Sequence, residues 1–414
     1  MGRGIVLFFI AALGWGQGER LEDTLYIPLD SPAIRYTQEP SDPVARLEKR
    51  IESGEAKLDY AGEGLGYLPS VLRLLGINTD SQALVFSKTS IQLKHIAPRT
   101  PRAIYFNDEV SVGFVQAGDE IELTSLDPKL GIILYTLDTE KTGKPQFSRR
   151  DDCLKCHQGP VTLGVPGLLV SSVHPRTSGP GESHGSSYMT DHRVPIDERW
   201  GGWYVTGTTG MQKHFGNNIN LVDPLQPGGP AGADSQNVTD LSRYFDTSRY
   251  PVPTSDLVAL MTLEHQTRMT NLIVRIGWDA RINPHDPKLN GEIEEMLGYM
   301  LFTEEPPLKE PVAGVSTFTK TFAERGPRDH EGRSLRDFDL KTRLFRYPLS
   351  YMIYSAAFDG MPEAARERID QRLYEILSGK DQSKAFARLS AADRRAILEI
   401  VRETKTGLPA YWKS

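Results

Sequence analysis

The spacing of apolar residues changes along this chain, and each change predicts a different kind of element. Residues 44–53 and 69–75 have the three-to-four spacing of short helices. Short alternating or continuous apolar runs follow at 83–86, 103–106, 110–115, 120–123 and 131–137. Asn107-Asp108 and Ala117-Gly118-Asp119 punctuate them as hairpin turns do, so an antiparallel sheet or small barrel-like unit is expected. Two more strands are expected at 167–173 and, with aromatic character, at 200–206.

Beyond Thr239 the period becomes helical. In residues 255–277, Val258, Met261, His265, Met269, Leu272 and Ile276 form one stripe. Residues 362–377 repeat the spacing through Ala365, Ile369, Leu373 and Ile376, with Pro362 suited to a first helical position. Residues 391–404 do so behind Ser390 as an N-cap. Stretches 175–187, 224–236 and 304–311, rich in Gly, Pro or Ser, read as loops. Strands, then a cysteine-bearing segment, then helices predict an α+β fold. The expected division is 1–18 as a signal peptide, 19–145 as a strand-rich unit, and 146–414 as a unit with a helical C-terminal part, the alternative being that the last two form one continuous domain.

The N-terminal pattern carries its own expectation. A basic start at Arg3, a dozen mostly apolar residues from Gly4 to Trp15, and small residues at Gly14, Gly16 and Gly18 have the build of a cleavable secretory signal. No later run is long and apolar enough to predict a membrane span. The expected product is exported, periplasmic in a bacterium, without stable membrane insertion. The 54 acidic and 48 basic residues give a formal net charge of −6, or −7 once Arg3 leaves with the signal. That balance favours neither nucleic acid nor anionic lipid, and is compatible with a basic redox partner.

Candidate chemistry concentrates in Cys153-Leu154-Lys155-Cys156-His157, which contains both cysteines of the 414-residue chain. Cys-x-x-Cys-His is the attachment pattern of c-type haem. Residues three apart on a helical turn face one way, so Cys153 and Cys156 can both form thioethers with one porphyrin edge, while His157 offers its imidazole to the iron. Three other uses of two cysteines compete. Zinc needs further Cys or His ligands, and no second close pair exists. A thioredoxin-like dithiol sits in a βαβ unit, which Arg149-Arg150-Asp151-Asp152 and Gln158-Gly159-Pro160 do not suggest. A disulfide here would close too small a loop to stabilise much.

The far side of the iron decides between electron transfer and small-molecule binding. His265 is the expected distal ligand, because it and Met269 share an apolar helix face; a core pair is the alternative. His214 and His192 are weaker candidates in loops, and His174 and His184 are weaker again. His95, His285 and His330 lie in polar or proline-bounded surroundings and are assigned no role. Trp200-Gly201-Gly202-Trp203-Tyr204 can pack a porphyrin or form a core strand with close backbone approach at its glycines.

Several longer stretches form a set: Phe86-Ser87-Lys88-Thr89-Ser90, the run from Pro98 to Asp108, Gly164-Val165-Pro166-Gly167 behind the pentapeptide, Glu198 to Gly207, Leu263-Glu264-His265-Gln266, Leu344-Phe345-Arg346-Tyr347-Pro348 and Gly407-Leu408-Pro409. Over nearly the whole chain beyond its first residues, this set resembles a family of secreted bacterial "cytochrome c domain-containing" proteins. The resemblance implies one haem c on Cys153 and Cys156, iron on His157, and electron transfer, with no established substrate. A single haem with a redox partner protein is therefore the leading expectation. A haem enzyme of peroxidase or oxidase type with an open distal side, using the loops and the 99–102 arginines as a pocket, is the alternative, and a haem-based sensor is a third.

Overall fold

The computed structural model describes residues 26–173, 187–221 and 235–413. Its architecture is α+β: an antiparallel sheet built mainly from the N-terminal half, and a mainly helical C-terminal part. The expected signal peptide, and His174 and His184, lie outside the described residues, as does most of the first two expected loops.

Two helices come first, α1 (Pro43–Glu52) and α2 (Leu68–Leu74). The sheet follows as β1 (Ala83–Val85), β2 (Arg102–Phe106), β3 (Val110–Phe114), β4 (Glu120–Asp127), β5 (Gly131–Asp138) and β6 (Ser148–Arg149). The turn between β2 and β3 closes on Asn107, whose side-chain oxygen accepts from the backbone N–H of Glu109 at 3.1 Å and Val110 at 2.9 Å. Asp127 does the same for Lys129 and Leu130 between β4 and β5. Along β4, Ile121 and Leu123 are buried while Glu120, Glu122 and Thr124 are half-exposed, so the period of two places a polar row on the other face.

Next come α3 (Leu154–His157), β7 (Ser171–Val173), β8 (Ser187–Met189) and β9 (Trp203–Tyr204). Strand β9 pairs with β1, giving a seven-stranded order of β6-β5-β4-β3-β2-β1-β9. Both edges of the sheet therefore come from beyond the expected boundary at 145/146, and one contiguous apolar core includes residues of both expected units. The aromatic run is core, with Trp200, Trp203 and Tyr204 buried. A Cβ on Gly201 would lie 1.9 Å from the carbonyl oxygen of Val173, so only glycine admits that backbone approach.

Strand β10 (Gly207–Thr208) pairs with β11 (Ala313–Gly314) beside α4 (Leu257–Ile282). Then follow α5 (Lys288–Met300), α6 (Phe318–Glu324), α7 (Ala356–Asp359), α8 (Glu363–Leu377) and α9 (Ala391–Thr404). Helix α4 has 26 residues and is buried on nearly all sides, the mark of a central helix rather than an amphipathic surface one. Its N-cap, Asp256, is fully buried. One carboxylate oxygen accepts from Val258 and Ala259 N–H, and the other accepts from the Val315 and Ser316 N–H groups and the Ser316 hydroxyl. Among the described residues, no helix is long and apolar enough to cross a membrane.

Candidate haem-attachment site

Three residues, Arg150-Asp151-Asp152, separate the pentapeptide from β6. Arg150 fixes its start: the guanidinium binds both oxygens of Asp152 at 2.9 and 3.0 Å and reaches Glu120 on β4 at 2.8 Å. A short helical turn then carries both cysteines, with Cys153 half-buried and Cys156 exposed, and no disulfide joins them. At the far end, the Gln158 side-chain amide donates to the carbonyls of Ile27 and Gly164. The loop turns back through two left-handed residues, Leu163 at φ 60° and Gly164 at φ 73°.

This return brings Gly167 alongside His157. The Gly167 N–H donates to the His157 carbonyl at 2.8 Å, and His157 Nδ1 lies 2.9 Å from the Gly167 carbonyl oxygen. A carbonyl only accepts, so Nδ1 carries the proton and Nε2 keeps its lone pair. Burial holds the imidazole pKa below its ordinary value; the Arg102 charge adds to this, and the Gly167 hydrogen bond opposes it. The ring is thus neutral at neutral pH. Burial pushes the Cys153 thiol up, and Asp152 reinforces the shift. A reactive dithiol needs the opposite shift.

Helix α4 holds the loop in place. The Asn271 side chain accepts from the Leu168 N–H at 2.8 Å and donates to the Leu168 carbonyl at 2.9 Å. One turn on, Arg275 donates to the Leu163 carbonyl at 2.8 Å. A Cβ on Gly167 would stand 2.5 Å from the Asn271 side-chain oxygen, so the glycine lets the loop close on the helix. The sheet supplies the other wall. Glu122 binds Arg102 at 2.5 Å, and the charges of this pair act on His157.

His265 sits elsewhere. Six residues before Asn271, it is displaced by about 9 Å along the axis and about 240° around it. It is fully buried, with Nδ1 2.8 Å from His192 Nδ1 and Nε2 2.8 Å from the Ser350 hydroxyl. Tyr299 and Phe302 stack on it. Burial drives its pKa down to about 3. The structure thus joins two sequence candidates, His265 and His192, as a neutral core pair in which both His265 nitrogens are engaged. That differs from the expected distal role, which needs a free lone pair. Met269 is core. His214 is buried against Trp200, and burial lowers its pKa to about 4. A cavity of about 400 Å³ lined by Arg199, Met261, Lys213, Glu305 and Lys309 contains none of the pentapeptide residues.

No protein-family model, no curated protein and no solved structure matches the chain. Function is therefore argued from the residues. Two unbridged thiols one turn apart, beside an imidazole whose outer nitrogen has no hydrogen-bond partner among the described residues, fit covalent haem. No group of three or more metal-binding side chains occurs among the described residues. Asn271, Arg275 and Glu122 were not singled out as site residues in the sequence. Gly167 stood at the start of an expected strand and within a motif of the resemblance, and Arg102 among the 99–102 arginines of the alternative pocket.

Proposed function

We propose that this chain is an exported monohaem c-type cytochrome protein that transfers electrons to or from a redox partner protein. The observation that carries the reading is the tautomer of His157, fixed by Gly167 so that Nε2 presents a lone pair beside two free thiols. Hydrogen bonding of the far ring nitrogen to a backbone carbonyl is how metal-ligating histidines are oriented. Cys153 and Cys156 would hold the group by thioethers, and His157 would bind its iron. When bound, haem supplies one-electron chemistry. The resemblance to secreted cytochrome c domain-containing proteins supports the same reading, as does the build of the N-terminus.

Expression of the full chain with a c-type maturation system tests it. The expected product retains haem after denaturing electrophoresis and acidic organic extraction, and Cys153→Ser with Cys156→Ser abolishes that retention. A wild-type chain that carries no covalent haem under these conditions overturns the proposal.

A further inference from the structure

We propose that His95 completes the iron coordination opposite His157, making the centre bis-histidine and low-spin. The inference rests on the haem-attachment reading above and deepens it.

His95 ends a 3-10 turn, Leu93–His95, that starts after Gln92. In such a turn residues three apart eclipse, so Gln92 and His95 project from the same side. Gln92 defines what that side faces. Its side-chain amide donates to the Glu120 carbonyl at 2.8 Å and to Glu122 at 3.2 Å, and its oxygen accepts from the Glu120 N–H at 3.2 Å. Glu122 also accepts from the Ser90 hydroxyl and from Arg102. On the same strand, the Glu120 carboxylate accepts from Arg150, three residues before Cys153, at 2.8 Å. The turn bearing His95 and the segment bearing the pentapeptide thus meet the same polar patch on β4.

His95 Nε2 is buried and has no hydrogen-bond partner among the described residues. A buried polar atom left unpaired costs free energy, which metal ligation relieves. Two other histidines carry orphaned ring nitrogens, His192 Nε2 and His214 Nδ1. Their partners lie elsewhere: His265, Tyr299 and Phe302 surround the first, while Trp200 and Gln236 hold the second. The turn also leaves Ile91 54% and Leu93 50% exposed, apolar area of the kind a porphyrin edge covers. It is anchored by the Thr100 hydroxyl on the His95 carbonyl at 2.8 Å.

The test uses the full chain loaded with covalent haem, comparing wild type with His95→Ala, His95→Met, His192→Ala and His265→Ala. Optical and electron paramagnetic resonance spectra should show a low-spin wild type whose ferrous form ignores carbon monoxide. His95→Ala should become high-spin, bind carbon monoxide and return to low-spin with added imidazole. His95→Met should stay six-coordinate with a raised potential. A high-spin wild type, a low-spin His95→Ala, or a conversion caused by His265→Ala or His192→Ala instead overturns the assignment. If His95→Ala does not accumulate, an unchanged bis-histidine spectrum in His95→Met overturns it equally. Loss of covalent haem in wild type sinks the attachment reading itself, whereas the spin-state outcomes concern His95 alone.

Discussion

Asn271 does for the loop after His157 what a neighbouring strand would do. One side chain satisfies both the N–H and the carbonyl of Leu168. Asn271→Ala leaves both groups unpaired in a largely enclosed place. The expected cost is about 2–4 kcal/mol, read as a lowered denaturant midpoint at unchanged slope. Gly167→Ala strains the same contact from the other side, pushing away the carbonyl that holds His157. On the haem reading proposed above, it should loosen the histidine and broaden or shift the haem spectrum more than it changes overall stability. At this scale the pentapeptide stood out as a candidate because its residues are adjacent in the chain. Its supports did not, because Asn271 follows Leu168 by 103 residues and nothing in its neighbours marks it. The apolar stripe of His265 was read correctly as buried, yet periodicity cannot tell a haem pocket from a partner histidine.

The central helix depends on its cap. Both oxygens of Asp256 only accept, two donors on one and three on the other. Asp256→Ala should cost about 2–4 kcal/mol, more than an exposed cap, because it strands buried N–H groups in α4 and beyond β11. Asp256→Asn should recover little, since its amide NH₂ turns a donor toward other donors. Thermal unfolding of the two variants measures the difference. Elements with strong local signals were legible: α9 has the expected bounds, and Ser390 forms its capping box with Asp393. Helix α8 starts at Glu363, leaving Pro362 as its N-cap rather than its first helical residue. Helix α5 went unread because Gly291 and Gly298 weaken its pattern, and it packs against α4 and α8. The strand expected over 200–206 shrank to Trp203–Tyr204, since the glycines before it serve close packing against β7.

For the molecule as a whole, buried titratable groups oppose one another. His265, His214 and His192 are held neutral by burial, with the first two at about 3 and about 4. Between these values and the ordinary 6.5, the unfolded chain binds protons that the folded one does not, so the histidines remove stability as pH falls. Glu264 and Glu305 are raised by burial to about 7 and Asp370 to about 6, so the folded chain holds extra protons there, and these groups add stability as pH falls. Between about pH 4.5 and 6.5 the two sets largely offset. Below about 4.5 the two glutamates are protonated in both states, while the histidines still differ. Asp127, Asp191 and Asp329, which burial raises but hydrogen bonds hold low in the fold, also take up protons on unfolding, so both remaining groups remove stability as pH falls. The unfolding midpoint should therefore be nearly level across pH 5–6.5 and fall steeply below 4.5, which a calorimetric pH series would reveal. A steady decline from pH 6.5 downward contradicts this balance. The α+β class was legible from the order of apolar spacings. The closure of the sheet by β9 was not, because a two-residue strand is specified by its partner rather than by its own sequence.

The contacts that seat the attachment loop reach forward along the chain, from Leu168 to Asn271 over 103 residues and from Leu163 to Arg275 over 112. The first cannot form before residue 271 has been made, nor the second before residue 275. While the polypeptide is emerging, the two thiols and His157 are therefore offered on a segment not yet gripped by α4, and the haem attachment proposed above would be able to precede docking. Late assembly of the clamp makes order of events, as much as geometry, a property of this site.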